Sequence, residues 1–346
     1  MASYTHTVYL CDIMSENRLS KLPYSVLDLA GVRAGFDIAD TFKNSVALAQ
    51  HAERLGYNRY WLAEHHNMIS VASSATSVLI GHIAGHTSSI RVGSGGIMLP
   101  NHTPLIVAEQ FGTLATLYPN RIDLGLGRAP GTDQLTAFEI RGERFHSPQH
   151  FPQDVLKLQQ YLGDDNYDSK VRAIPGEGTN VPIWILGSST ESAHLAASYG
   201  LPYAFASHFA PTHFLEAISI YRNNFRPSAV LKEPYVLSCV NVVAADTDEE
   251  AERLSTSLKT LFLGIVTNQR RLLQPPVERM NWSDIEEAAV EQMLDFAFIA
   301  GPEKLKSQLN SFVSHTKIDE LMVTSHIYDQ QARLKSYEIL ANVLQS

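Results

Sequence analysis

Cysteine is nearly absent from this chain. The two residues, Cys11 and Cys239, stand far apart, which excludes a disulfide scaffold and a cysteine zinc site. No window reaches the ~18 consecutive apolar residues that a membrane span requires. No basic region followed by an apolar run opens the chain, so no secretion signal is read and a reduced cytoplasm is the expected compartment. Positive charge is in deficit: 27 Lys and Arg stand against 36 Asp and Glu, for a net charge of −9. The basic surface that nucleic acid demands is therefore not expected. Nor does a glycine-rich phosphate loop follow the first strand-like run, where the turn is Asp28-Leu29-Ala30-Gly31-Val32. That counts against an open, doubly wound dinucleotide-binding sheet.

What is present is a repeating alternation. Residues 1–20 carry no clear period and are read as an N-terminal extension ahead of a single domain over 21–346. Short apolar runs then recur at 22–30, 59–63, 90–99, 121–126, 182–186, 202–206, 235–244 and 318–324. Between them lie segments with helical spacing, at 42–55, 75–86, 104–117, 152–162, 191–199, 211–225, 248–263, 291–299, 302–313 and 330–344. Short strands without polar alternation are covered on both faces. Eight of them alternating with helices predict a (β/α)8 TIM barrel, with an insertion at 130–180 after the fourth strand. An irregular segment at 264–290 follows the seventh.

In such a barrel the active site lies at the carboxyl ends of the strands. That rule selects Asp28; Glu64, His65 and His66; the Gly93-Ser94-Gly95-Gly96 kink; Gly127 and Arg128; Gly187, Ser188, Ser189 and Thr190; Ser207 and His208; and Ser325 and His326. Three glycines in four residues weaken a strand, which fits either a plain bulge or a flat ligand lying against bare backbone. Adjacent His65 and His66 should point to opposite sides if the strand persists that far, leaving one toward the pocket. The Gly-Ser-Ser-Thr run before the fifth helix, taken singly, reads first as simple capping by Ser189 or Thr190, and otherwise as an anion site on free amides, within reach of Arg128. Glu191 brings unfavourable charge to that same helix end. Histidines at a barrel rim also suit a metal-dependent hydrolase, but the His-x-His pair such enzymes carry on the first strand is missing.

Four segments, in order, carry a resemblance: WLAEHHNM (61–68), RVGSGGIMLPNHTPLIVAEQFGTL (91–114), RIDLGLGRAPGTDQ (121–134) and PIWILGSSTESAHLAASYGLPYAFA (182–206). Together they resemble the bacterial luciferase-like monooxygenase superfamily, in its uncharacterised flavin oxidoreductase branch rather than luciferase itself. The resemblance runs from Leu22 onward. It implies FMN bound at the strand ends. Gly95 and Gly96 match a non-prolyl cis peptide beneath the flavin ring, where glycine would keep a side chain out of the ring's way. His65 matches the histidine at the flavin's reactive edge. Gly127 matches a position packed on the ring, and Arg128 a phosphate-contacting arginine. Gly187, Ser188, Ser189 and Ser192 lie in the matching phosphate turn, although luciferase is acidic at the Ser188 position. Arg141 and Arg144 are weaker phosphate candidates.

The chemistry this resemblance implies is oxidation with paired donors. A separate NAD(P)H:flavin reductase supplies reduced FMN, O₂ adds to it as a flavin C4a-peroxide, and a small organic substrate is oxygenated in a cytoplasmic homodimer. The alternatives are hydride transfer by the deazaflavin F420 and a flavin-binding protein without turnover. Arg270 and Arg271, on the lid-like segment, are read as a solvated loop.

Overall fold

Strands of three to nine residues pair in parallel because each is apolar enough to be buried on both faces. The computed structural model describes residues 18–142, 147–164, 166 and 168–346. The expected N-terminal extension therefore lies almost wholly outside the described residues, as do Cys11 and Arg144. Leu19, within that expected extension, is buried in the core.

The strands are β1 (Tyr24–Asp28), β2 (Arg59–Leu62), β3 (Arg91–Met98), β4 (Ile122–Gly127), β5 (Ile183–Gly187), β6 (Tyr203–Phe205), β7 (Val236–Ala244), β8 (Ala297–Ala300) and β9 (Glu320–Thr324). The helices are α1 (Ile38–Arg54), α2 (Thr76–Gly85), α3 (Pro104–Leu117), α4 (Gln134–Arg141), α5 (Phe151–Leu162), α6 (Thr190–Tyr199), α7 (Phe214–Asn224), α8 (Asp248–Val266), α9 (Asp284–Met293), α10 (Pro302–Thr316) and α11 (Gln330–Gln345). Strands β1 to β6 pair in chain order, β6 pairs with β7, β7 with β9, and β9 returns to β1. This closes the eight-stranded parallel barrel that the sequence predicts.

Two elements depart from expectation. The helix expected over 291–299 is divided: α9 stops at Met293, and Ala297–Ala300 forms β8, paired with Asn241–Ala244 of β7. Asn241 also pairs with Thr324 on its other side, so β8 takes over the edge of β7 that β6 leaves at Ser238. A four-residue apolar run carries too little period to tell strand from helix. The segment 264–290 is not irregular throughout, since α9 begins within it. Its start is fixed by a capping box in which the Ser283 hydroxyl accepts from the Glu286 amide and the Glu286 carboxylate accepts from the Ser283 amide.

The amino ends of the strands close over a buried ionic network. Arg59, the first residue of β2, donates to Asp123 at 2.8 Å and to Glu320 at 2.8 and 3.1 Å. Arg91 donates to the other Asp123 oxygen at 2.6 Å, and Tyr235 to Glu320 at 2.9 Å. Above this layer Trp61 and Trp184 meet edge to face at 5.2 Å, with Leu27, Leu237, Cys239 and Met322 around them. The barrel interior is thus packed, and only its carboxyl end is left open to carry a site.

Candidate active site

A cavity of about 1600 Å³ opens at that carboxyl end. His65 lines it from the end of β2, Gly95 and Gly96 from β3, and Gly127 and Arg128 from β4. Gly187, Ser188, Ser189 and Ser192 line it from β5 and the start of α6. His65 and the residues matched to the flavin site, Gly95, Gly96, Gly127, Arg128, Gly187, Ser188, Ser189 and Ser192, therefore face one space.

The floor lies on β3. The strand is continuous from Arg91 to Met98, but its register against β4 slips between Ser94 and Ile97, so it carries a bulge. The Gly95–Gly96 peptide is cis. The glycines are explained differently from the sequence expectation. A Cβ at Gly95 would stand 2.8 Å from Leu27, and one at Gly96 would stand 2.7 Å from the Gly125 carbonyl. At Gly96 the clash is with the backbone of β4, so close approach of the strands demands glycine there; at Gly95 it is with the tip of the Leu27 side chain. The result is bare backbone bordering the cavity.

His65 Nδ1 lies 3.3 Å from the Gly131 carbonyl. A carbonyl only accepts, so Nδ1 carries the proton and Nε2 is the basic nitrogen of the neutral ring. Burial lowers the His65 pKa below its ordinary value. His66 also lines the cavity, against the expectation of opposite faces. Strand β2 has already ended at Leu62, and the alternation of side chains ends with it.

Glu64 points into the wall. Its carboxylate accepts from His66 Nε2 at 2.8 Å, His102 Nε2 at 2.9 Å, Asn101 Nδ2 at 3.3 Å and the Met98 amide at 3.0 Å. Burial alone would raise its pKa, but the bonds from His102 and His66 outweigh that and hold it at about 2. A depressed carboxyl pKa stabilises the fold above the unfolded value, and that gain is lost as pH falls toward the folded value. The expected contribution is roughly 3 kcal/mol at neutral pH. Glu64→Gln should therefore be less stable than the parent at pH 7, with the difference closing between about pH 4.5 and 2. Urea unfolding across that range checks this, and a difference independent of pH would refute it.

At the other end of the cavity, Ser189 is the N-cap of α6 but its side chain makes no capping bond. The first amides of the helix are left without a side-chain cap, contrary to the capping alternative read from sequence. The Ser189 hydroxyl instead helps hold the Glu191 carboxyl below its usual range, with Arg128 nearby adding to the effect. Arg128 is exposed and lies close to this helix start. Ser192 Oγ donates to the Ser189 carbonyl at 2.7 Å and packs beneath Gly187, so its proton is already engaged.

Other candidates fall away from the cavity. Asp28 is buried, accepting from Arg333 at 2.9 Å and Ser45 at 2.6 Å. Arg141 donates to Asn101 at 2.9 Å inside the wall. Ser207 is bonded to the Cys239 carbonyl at 2.6 Å. Arg270, read as solvated loop, lines the cavity and donates to Met68 Sδ at 2.8 Å. Its segment is anchored where Leu273 exchanges backbone bonds with Val32 and Ala34, both at 2.9 Å. No local pattern announces Arg270, because its place depends on that long-range bridge. Among the described residues, no three His, Cys, Asp or Glu side chains are placed to hold a metal ion.

The profile of the luciferase-like monooxygenases matches residues 22–313. The chain belongs to the luciferase-like monooxygenase family. Within that family it is 54% identical over 333 residues to the uncharacterized protein YvbT of Bacillus subtilis, covering 95% of this chain and 99% of that one. It is 47% identical over 324 residues to a luciferase-like monooxygenase of Escherichia coli K12, covering 93% and 97%. Among solved structures, apo-MsnO8 superposes with a TM-score of 0.84 at 35% identity, covering 93% of this chain and 98% of that one. The luciferase-like barrel extends to more distant neighbours. One is the FMN complex of the oxygenating constituent of 3,6-diketocamphane monooxygenase from Pseudomonas putida, at TM-score 0.70, 17% identity and 92% and 96% coverage. Another is an F420-dependent secondary alcohol dehydrogenase, at TM-score 0.67, 13% identity and 94% and 100% coverage. These two share the fold.

Proposed function

We propose that this luciferase-like protein binds reduced FMN delivered by a separate NAD(P)H:flavin reductase, and with O₂ oxygenates a small organic substrate. One observation carries the reading. The cavity joins an uncapped helix start beside Arg128 to a bare backbone floor beside His65. A phosphate suits the first end, because a helix start without a cap from Ser189 and a guanidinium both favour an anion. A flat ring suits the second, because no side chain rises from Gly95 or Gly96. The residues present therefore fit FMN.

Bound there, reduced flavin would supply the electron pair that activates O₂. The protein's own part is narrower. Ser188, Ser189 and Arg128 would hold the phosphate, and Gly95, Gly96 and Gly127 would support the ring. His65 Nε2, unprotonated, is placed to accept a proton or a hydrogen bond at the ring's edge. Ile265 at the end of α8, and Asn268 and Arg270 on the segment after it, face the cavity and would keep water out.

The test is titration of the purified protein with reduced FMN and with F420. Tighter binding of FMN, followed by substrate-dependent O₂ uptake, is expected. Preference for F420 with hydride transfer and no O₂ uptake would replace this reading, and binding without turnover would reduce it to a flavin carrier. Arg128→Ala is expected to weaken FMN binding by about tenfold or more while riboflavin affinity is nearly unchanged. Equal loss for both, read by flavin fluorescence, would remove Arg128 from the phosphate.

The same reading makes the protein a cytoplasmic homodimer. Helices α2 and α3 pack side by side and are apolar around most of their circumference, leaving Val78, Ile106 and Leu117 exposed at 69, 47 and 63%. A second copy covering those residues would remove this apolar surface from water. In addition, no helix among the described residues is long and apolar enough to cross a membrane.

A further inference from the structure

The residues that would hold a flavin occupy three consecutive strands, β3 to β5. Three histidines line what that arrangement leaves free. His65 follows β2 and His208 follows β6, the strands flanking those three, and His326 follows β9, diametrically across the barrel from β4. The rest of this chamber is apolar, with Leu29, Val71, Phe209, Phe262, Ile265 and Met293 on its walls.

His208 stands out among these residues. It is 91% buried, since its relative exposure is 9%. Its Nδ1 is buried with no hydrogen-bond partner, the Cys239 carbonyl lies near the ring, and the residue lines the cavity. The turn that carries it is held rigidly from β7: Asn241 Nδ2 donates to the His208 carbonyl at 2.5 Å, and Ser207 Oγ donates to the Cys239 carbonyl at 2.6 Å. A buried polar ring held this firmly, with a free nitrogen, is poised for a ligand atom.

The charge pattern limits what that ligand can be. The Asp, Glu and Arg residues lining the cavity are Arg128, Asp133, Glu191, Arg226 and Arg270, and each is exposed; no lysine lines it. The inner chamber therefore offers polar groups that are neutral. Burial lowers the pKa of His208 to about 3 and of His326 to about 4, so neither supplies a cation at neutral pH.

We propose that this chamber takes a substrate with an apolar body and an uncharged polar head, a carbonyl, amide or hydroxyl, and that the His208 ring, which shares the chamber with His65 and His326, positions that head. An anionic head would lie among apolar walls and neutral rings, since the arginines that line the cavity are exposed and Arg333, near His326, is already paired with Asp28. His208 is thus a positioning residue that sets specificity. This rests on the reading of β3 to β5 as the flavin side of the cavity.

The test uses octanamide and octanoate, which match in length and differ in charge. Calorimetric titrations are run on the full chain, alone and saturated with FMN. Octanamide is expected to bind at least about tenfold more tightly than octanoate. His208→Ala should weaken octanamide binding by about tenfold with FMN affinity unchanged, and His208→Gln, which keeps a hydrogen-bonding head, should restore most of it. Equal or tighter binding of octanoate, or binding of neither, overturns the proposal. So does a His208→Ala protein that binds FMN normally and octanamide as before. If His208→Ala does not fold, the amide-against-carboxylate comparison on the parent still decides. Failure of the flavin reading is visible separately, as absence of FMN binding, and leaves the titrations on the protein alone to judge the chamber.

Discussion

His65→Ala is expected to lower substrate oxygenation by about two orders of magnitude while FMN affinity changes by no more than about twofold. The asymmetry follows from position. In the proposed reading His65 serves the ring's edge and Arg128 the phosphate, so little of the proposed phosphate binding passes through His65. Its proton is committed to the Gly131 carbonyl through Nδ1, which leaves Nε2 as an acceptor. Alanine removes that acceptor and admits water in its place. Oxygenation should fall while O₂ is still consumed, so the H₂O₂ released per flavin oxidised should rise. Measuring product and H₂O₂ together checks this. Because burial depresses the His65 pKa, the parent should lose no activity through His65 protonation at neutral pH, and should lose it only as pH falls below the usual histidine range. A variant that loses FMN affinity and oxygenation in equal measure would make His65 a binding residue instead.

Arg59→Met is expected to cost about 3–5 kcal/mol of stability. Arg59 lies between Asp123 and Glu320, both fully buried, and also packs its guanidinium 4.7 Å from the Trp184 ring centre. Methionine keeps most of the packing and none of the charge. Glu320 would retain only hydroxyl and amide donors, from Ser25, Asn58 and Tyr235. Asp123 would still hold Arg91 and Trp61. The loss should therefore be concentrated at Glu320. Arg59→Met together with Glu320→Gln should recover part of the stability, since the second change removes the stranded charge. Chemical unfolding of the single and double variants measures this, and a single variant within about 1 kcal/mol of the parent would contradict it.

The barrel was legible because its strands are short, apolar and separated by helical spacing. The match is closest where punctuation is strong, as at Pro104–Leu117, with proline at its start. It failed where the signal was weak or unread. Phe296-Ala297-Phe298-Ile299 continues an apolar pattern from the preceding helix, and only pairing with β7 makes its second half a strand. The Ser283-Asp284-Ile285-Glu286 capping box was present in the sequence and would have placed α9. Asp133, whose side chain accepts from the Thr136 amide, would likewise have marked α4.

The candidate site was legible in its residues and less so in their reasons. Strand ends pointed to His65, Arg128 and the serine turn without any geometry. Sequence could not tell that a side chain at Gly95 would meet Leu27, and one at Gly96 the Gly125 backbone, both distant in the chain. Nor could it separate Glu64, which turns into the wall, from His65, which does not. Asp28 looked equally available at the end of β1, but Arg333 lies 305 positions away and claims it.

The takeover of β7 by β8 has a consequence for how this protein behaves in concentrated solution. A closed ring of strands offers no unsatisfied backbone edge to a neighbour, and eight of these strands are closed in that way. Among the described residues strand β8 has a single partner, so its outer side is a place in the sheet where another chain could add a strand. It is four residues long and flanked by the last turn of α9 and the Pro302 start of α10. So short an edge gives an incoming strand very few ladder bonds. Colloidal stability therefore depends on keeping β8 short, and an insertion that lengthened it would create an aggregation site far from the chemistry.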